Sequence, residues 1–535
     1  MISFGLSNLR RLRDVQPLEL KPLTILVGRN SSGKSTFLRS LPLLKQSIST
    51  RTSSPILWYG DWVDFGSFAG AVNKNDDNKL ISFFFSISDI VVDNYIVPFW
   101  DGGPEQAHQT QSTMSFLVDI CRSDSGTRIS HFSLSESQNA VHFQATVTAE
   151  GKIDSLRIDD VEMISFFSGF DVKIESGSLF PDIFVSRKIS SLSKTRAASF
   201  NTPYEGVHDV IVKACSSYLK AHLDKRTSEG RLASFSNQLF SLSHFDTATL
   251  QILSSRTQNR SWRKFLKRIS EIQSTGEYTY LRHLYLLYHF GSFLSSFASS
   301  AKSFISRVLY IGPARARSDR FYRYQDLSVS EIDPDGKNFP MFLNSLSPHQ
   351  IQRFSDWVKH LFNFGVRVEK SSGHISIELV YPTSTVNIVD TGYGVSQILP
   401  VLGQIWWAIN QPRRGFGGMP VLPPFIAIEQ PELHLHPAHQ ARLADAFIGG
   451  LYSIASDGSR TRRAQFIIET HSEALINRIG HLISRGSIDP NDVQIVVFEA
   501  DSNDDQYTAV HTSLFDSEGV LLNWPYDFFI AGSDM

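Results

Sequence analysis

After a polar start, Leu23 to Val27 read LTILV, a short unbroken apolar run rich in branched side chains. This is the pattern of a strand buried on both faces, and it predicts a strand ending at Gly28. A helical stretch follows from Thr36 to Gln46. Ile81 to Phe85, His142 to Val147 and Val172 to Ile174 are further strand-like runs, which predict an antiparallel layer continuing the N-terminal lobe. From about Gly206 to Arg307 the period changes. Val207 to Leu223 and Leu281 to Ile305 carry apolar residues at three- and four-residue steps, the spacing of helices. Heptads are not sustained, so a compact helical insert is expected, not an extended coiled-coil arm. Strand character returns at Val308 to Ile311. Ser347 and Pro348 open a helix whose buried face is Ile351, Phe354, Val358 and Leu361. Val366 to Glu369 and the alternating Ile375, Ile377 and Leu379 then predict two strands. Pro424 to Glu429 (PFIAIE) is an apolar strand ending in a carboxylate, and Gln465 to Ile468 is another, running into ETHSE. No internal repeat is evident. The expected division is an N-terminal lobe over 1–205, a helical insertion over 206–307 and a C-terminal lobe over 308–535.

Length and composition narrow the possibilities. At about 150 residues per unit, 535 residues suggest three or four structural units with a substantial core. With 41% hydrophobic and 19% charged residues, a mainly disordered chain is excluded. The formal charge of -2 says nothing about a polyanionic partner, so only local clusters can. Cys121 and Cys215 are too few for a disulfide framework or a four-thiolate zinc site and fit a reducing compartment. Arg10 interrupts the N-terminus before a signal-length apolar stretch forms, and the apolar window around Ile398 to Ile409 stops short of the roughly 18 residues a span needs. The expectation is a soluble, cytoplasmic protein with no membrane contact.

The strand ending at Gly28 runs into GRNSSGKST. Gly28, Gly33, Lys34 and Ser35 stand at the spacing of a Walker A loop, with strand, loop and helix in the required order. Small residues let successive backbone N–H groups close around phosphates, and the helix N-terminus adds partial positive charge. Gly28, Asn30, Ser31, Ser32, Gly33, Lys34, Ser35 and Thr36 are therefore expected to hold ATP. Lys34 would reach the β- and γ-phosphates and Ser35 would ligate Mg²⁺. The alternative is a Gly/Ser-rich turn between strand and helix. Glu429 fits the acidic Walker B position and the second Mg²⁺ ligand.

Upstream of Glu429, DTGYGVSQILPVL sets Gly392, Gly394, Ser396 and Gln397 before an apolar helical stretch, and this resembles the signature loop of ATP-binding-cassette ATPases. Walker A, signature, Walker B and the terminal His471 occur in that order, so the chain resembles the cassette-type superfamily that includes the SMC and overcoming-lysogenization-defect ATPases. The resemblance implies an α/β, ABC/SMC-like P-loop ATPase core with an antiparallel β lobe and an inserted helical region. It also implies a homodimer closed by two ATP molecules, in which Gly394, Ser396 and Gln397 contact the γ-phosphate held on the other protomer and His471 senses it. Read alone, Gly392 to Gln397 is equally an ordinary turn and His471 a helix-capping residue.

One departure bears on mechanism. Two acids often precede the proline of this pattern, whereas here Glu429 is followed by Gln430, Pro431 and Glu432. A glutamine can orient the attacking water but cannot accept its proton. Weak turnover is expected unless Glu432 or Glu429 serves. Glu429, Gln430, Glu432, Lys34 and His471 are thus the candidate catalytic residues.

The segments LTILVGRNSSGKSTFLRSLPLLKQS, WVDFGSF, YIGPARA, DTGYGVSQILP, IEQPELHLHP, THSE and NWPYDFF are together similar to the PtuA ATPases of Septu anti-phage systems, including those encoded beside retrons. The match leaves about 206–300 without motif support. It implies antiviral defence, with a separate HNH nuclease (PtuB) and, in retron loci, a reverse transcriptase and its RNA-linked DNA. Only 64 residues follow His471, too few for a Toprim nuclease, and the paired CxxC of zinc-supported HNH modules is missing. Cutting is therefore expected of a partner. The competing expectations are a DNA-repair or chromosome-associated SMC-like clamp, and a scaffold that binds ATP without turnover.

Several clusters admit two readings. His434, His436 and His439 beside Glu432 are either metal ligands or a loop crossing the dimer interface. Glu499, Asp501, Asp504 and Asp505 are either a cation site or a solvated turn. Arg256, Arg260, Arg263, Lys264, Lys267 and Arg268, interleaved with Trp262 and Phe265, are the best nucleic-acid footprint, with phosphates meeting the charge and bases stacking on the indole. A solvated helix face would look similar. Arg187, Lys188, Lys194 and Arg196 form a weaker patch. Arg315, Arg317 and Arg320 are either a salt-bridged turn or a phosphate contact.

Overall fold

The fold follows from a computed structural model that describes residues 1–74, 79–92, 110–124, 126–175, 177–187, 198–199, 205–271, 276–326, 328–410, 422–454, 459–500 and 507–524. Its centre is a seven-stranded sheet in the order Val308–Ile311, Phe425–Glu429, Gln465–Glu469, Leu23–Gly28, Val493–Ala500, Thr508–Phe515, Leu521–Leu522. The first five strands are parallel; Thr508–Phe515 pairs antiparallel with the fifth, and Leu521–Leu522 antiparallel with Thr508–Phe515. Because both faces of this sheet are covered, the strands need no polar alternation. Leu26, Ala427 and Ile467 pack on one side with Phe37, Leu38 and Leu41 of the Lys34–Ser49 helix. Ile25, Val27, Ile428 and Ile468 pack on the other against helices Tyr393–Asn410, Pro437–Leu451 and Glu473–Ser484. Two segments far apart in sequence thereby become neighbours: Glu469 pairs in register with both Glu429 and Leu26.

An eight-stranded antiparallel sheet forms the second layer, in the order Leu12–Glu19, Ile2–Leu9, Ile81–Val92, Thr110–Ser123, Gly126–Glu136, Val141–Val147, Ile153–Ile158, Val161–Glu162. Along Ile81–Phe85 buried and half-buried residues alternate strictly, as a sheet covered on one face requires. The cover is the long helix Gly276–Ile305: Phe297 stacks on Phe116 at 5.2 Å and Phe290 meets Phe143 at 4.8 Å. Helices Glu205–His222, Glu229–Phe240, Thr247–Arg256 and Arg260–Glu271 complete the insert. Its apolar residues and those of the antiparallel sheet form one continuous core, so the insert is packed onto the lobe and does not project from it.

The chain is thus an α/β fold, a largely parallel sheet covered on both faces, with an antiparallel β lobe and an inserted helical region. The helix opened by Ser347 and Pro348 spans Pro348–Phe362, with a reciprocal capping box between Ser347 and Gln350. Among the described residues, no helix is long and apolar enough to cross a membrane.

Candidate functional site

The Leu23–Gly28 strand delivers the loop and the Lys34–Ser49 helix leads away from it. Gly28 sits at φ +151°, and a Cβ there would lie 2.2 Å from the Phe498 carbonyl oxygen; Gly33 sits at φ +101°, where a Cβ would meet Leu12 Cδ2 at 2.6 Å. Both positions demand glycine for conformation and for space. Ser31 is left-handed as well, at φ +64°. Asn30 and Ser31 are exposed at the rim, while Ser32, Lys34 and Thr36 are buried. Thr508 Oγ1 donates to the Ser32 carbonyl at 2.7 Å and ties the loop to the sheet edge.

Lys34 is 3% exposed, and its Nζ donates to the carbonyls of Gly28 at 2.9 Å and Arg29 at 2.8 Å. Desolvation lowers its pKa, opposed by the nearby Glu469 carboxylate. The ammonium is held among the loop's own oxygens, at the centre of a nest that would close on phosphate.

Two carboxylates end adjacent strands, and their surroundings differ. Glu429 is 1% exposed; Arg39 donates Nε to its Oε1 and Nη2 to its Oε2, each at 2.7 Å, and the Tyr310 hydroxyl donates to Oε1 at 2.7 Å. Hydrogen bonding to Glu429 raises the Arg39 pKa, and burial followed by the Glu429 charge pushes the Tyr310 hydroxyl well up. Glu469 instead accepts from Ser35 Oγ at 2.8 Å through Oε1, and its buried Oε2 has no hydrogen-bond partner among the described residues. Burial, then the Glu429 charge, raises Glu469 from the ordinary 4.5 to about 7. Among the described residues no hydrogen bond joins Ser35 and Glu429, expected to share a cation: both Glu429 oxygens bond Arg39 or Tyr310, and the carboxylate bonded to Ser35 is that of Glu469.

This arrangement has a pH signature. An acid whose pKa is raised by folding binds more protons folded than unfolded, so its contribution to stability falls as pH rises between about 4.5 and 7. Nucleotide-free protein should lose on the order of 3 kcal/mol across that window from this group. Glu469→Gln should flatten the loss in urea unfolding compared at about pH 5 and pH 7.5. Equal slopes in the two proteins would remove Glu469 as its source.

Gln430 is half-buried at φ +42°, an uncommon conformation for a non-glycine residue, and its N–H donates to the Glu469 carbonyl at 2.8 Å. Glu432 is buried, accepts the His471 backbone N–H at 2.7 Å and has a pKa raised by burial. It positions the His471 segment from behind. The pKa of the His471 imidazole is lowered by desolvation and by the Lys34 charge.

The signature residues do not turn outward. Gly394 is buried, and a Cβ there would lie 2.2 Å from the His434 carbonyl oxygen. Ser396 Oγ donates to the Tyr393 carbonyl at 2.8 Å. Gln397 accepts the Arg315 N–H at 3.2 Å and returns a bond to the Arg315 carbonyl at 3.2 Å. The Gln397 side chain thus holds the Arg315 loop, and the Ser396 hydroxyl the first turn of its own helix. The outward group at this helix start is Tyr393, 47% exposed and edge-on to His434 at 4.9 Å.

Arg315 is buried, and its Nη2 donates to the Glu429 carbonyl at 2.8 Å; burial lowers its pKa to about 10. It links the signature helix, through Gln397, to the end of the Glu429 strand. Arg320 forms an exposed ion pair with Asp390, and Arg317 is exposed.

Trp262 is fully buried, stacks on Phe235 at 4.7 Å and donates Nε1 to Gln238 at 2.9 Å. Phe265 is buried too, so bases cannot stack on either ring. Arg256, Arg260, Arg263, Lys264, Lys267 and Arg268 are all exposed; Arg263 donates to the Thr257 carbonyl and Arg268 pairs with Glu277. Their face can meet a polyanion by charge alone. His436 caps the Pro437–Leu451 helix and His439 packs on Phe362 at 5.7 Å. Among the described residues no group of three or more His, Cys, Asp or Glu side chains could hold a metal. Asp501, Asp504, Asp505, Lys188, Lys194 and Arg196 lie outside the described residues.

Glu469, Arg39 and Tyr310 escaped the sequence reading, while Arg315 was left between a structural turn and a phosphate contact. Glu469 carried a usable signal, a carboxylate ending a second apolar strand directly before His471.

A family model described as AAA ATPase domain matches residues 1–476, and one described as a protein of unknown function (DUF3696) matches 488–529. No curated protein sequence matches the chain. Among solved structures, the Smc head domain of Pyrococcus furiosus, with an extended coiled coil and bound to the C-terminal domain of ScpA, is 12% identical, covers 96% of each chain and gives a TM-score of 0.33. The SMC head domain from Thermotoga maritima is 8% identical over 95% of this chain and 97% of its own, with a TM-score of 0.31.

Proposed function

The chain belongs to the AAA ATPase domain family, and from that premise we propose that it is the Mg²⁺-dependent, slowly hydrolysing ATPase subunit of a cytoplasmic anti-phage defence complex. In this reading it forms a two-fold dimer and controls a separate HNH nuclease of the PtuB kind and, where it is encoded in a retron locus, works with a reverse transcriptase and its RNA-linked DNA. The observation that carries the ATP-binding part is the convergence of the Lys34 loop with the ends of the Glu429 and Glu469 strands at one edge of the parallel sheet. The defence role rests on the likeness of the chain's motifs to Septu PtuA ATPases.

The loop N–H groups bind the triphosphate, Lys34 neutralises its terminal charge, and Ser35 with the neighbouring carboxylates offers hard oxygen donors that suit Mg²⁺. A bound Mg²⁺ supplies charge stabilisation to the β- and γ-phosphates. Gln430 orients the attacking water but takes no proton from it. Restoring an acid with Gln430→Glu should therefore raise kcat by about 10-fold to 100-fold, read as phosphate release under saturating ATP. An unchanged rate would remove Gln430 as the cause of slow turnover.

The wider reading is tested by purifying the chain from its native operon and identifying what accompanies it. An HNH protein, with or without an RNA-linked DNA, supports defence; chromosomal DNA with no nuclease favours a repair or chromosome-associated clamp. The exposed cationic face of helix Arg260–Glu271 is the feature that favours the clamp as second reading. No turnover with or without DNA would leave an ATP-bound scaffold.

A further inference from the structure

The two carboxylates at the strand ends are not equivalent, and their difference identifies which one serves the cation. Glu429 meets Arg39 through both oxygens and Tyr310 through one, a set of three donors at 2.7 Å that neutralises its charge inside the sheet. Freeing it for a metal would leave the Arg39 guanidinium without its bidentate partner. Among the described residues no basic side chain is bonded to Glu469. One of its oxygens accepts from Ser35, the Walker A hydroxyl, at 2.8 Å. The other is buried and, among the described residues, without a partner, in a residue only 2% exposed. A buried carboxylate oxygen left unpaired is costly unless a ligand completes it. Ser35 stands in the first turn of the Lys34–Ser49 helix, directly after the loop, so the carboxylate it meets lies where that loop and the strand ends come together.

Resting on the ATP-binding reading above, we propose that Glu469, not Glu429, is the protein carboxylate of the Mg²⁺ site, acting with Ser35. One hydroxyl and one carboxylate oxygen, completed by phosphate oxygens and water, make the donor set Mg²⁺ ordinarily takes. Glu429 is then the anchor that fixes Arg39 and Tyr310 behind the site. The parallel register explains how both come to be present: Glu429 and Glu469 are cross-strand partners, and the Glu469 strand is the one hydrogen-bonded to the Walker A strand.

The test is equilibrium binding of a non-hydrolysable ATP analogue to the full chain, in EDTA and in Mg²⁺. Wild type should bind about tenfold more tightly with Mg²⁺. Glu469→Gln should lose that gain while binding at least as tightly as wild type in EDTA, because removing a carboxylate relieves repulsion of the phosphates; a merely structural residue would weaken both. Glu469→Asp, a milder change should the glutamine variant fail to fold, should raise the Mg²⁺ concentration at half-gain by about tenfold. A full gain in Glu469→Gln, or an unmoved half-gain in Glu469→Asp, overturns the proposal. Wild type that binds no analogue in either condition removes the ATP-binding reading, and the proposal with it.

Discussion

Replacing Lys34 with alanine is expected to weaken ATP binding by at least about 100-fold, or roughly 2.7 kcal/mol, and to abolish turnover. The side chain is buried, stands inside the loop and bonds the Gly28 and Arg29 carbonyls. Its removal deletes the one buried cation of the loop at a place where a triphosphate brings several negative charges together. The fold should survive, since the helix that follows is anchored by Phe37, Leu38, Leu41 and Leu44 in the core. Calorimetric titration of the folded variant with ATP checks this. Wild-type affinity in a well-folded variant would contradict the assignment of the loop.

The largest stability effect is expected at Arg39. Arg39→Ala strips Glu429 of both guanidinium bonds and leaves a carboxylate in the sheet with only Tyr310 as side-chain donor. Losing one member of a buried pair costs about 3–5 kcal/mol. The Arg39 side chain is 32% exposed against 2% for Glu429, which favours the lower half of that range. Arg39→Lys should recover little, because an ammonium cannot span both oxygens. Urea denaturation of the three proteins measures this; a loss below about 0.5 kcal/mol for Arg39→Ala would mean the pair is not held as described.

What could be read from the sequence, and what could not, divides along physical lines. The Leu23 to Val27 run and the GRNSSGKST spacing were legible because backbone conformation dictates residue type there, as the clashes at Gly28 and Gly33 make plain. The Ser347 helix start was legible for the same reason, since its cap is local. Side-chain direction was not. The Gln397 side chain bonds the Arg315 backbone, whose loop lies far away in sequence. Trp262 sits among cations and looks available for stacking, yet the same helical period that exposes the cations turns the indole into the core beside Phe235. The pairing of Arg39 with Glu429 and of Ser35 with Glu469 depends on strand order, which adjacency along the chain does not carry.

The claim most exposed to test is that the loop after Leu23–Gly28 and the ends of two strands hundreds of residues away form a single nucleotide pocket. Hydrogen exchange followed by mass spectrometry, on the full chain with and without MgATP, addresses it in one experiment. The account predicts slowed exchange of amides within 28–36 and within 469–472 in parallel, half-saturating at the same ATP concentration. Protection confined to one of these segments, or two segments saturating at different concentrations, would contradict it.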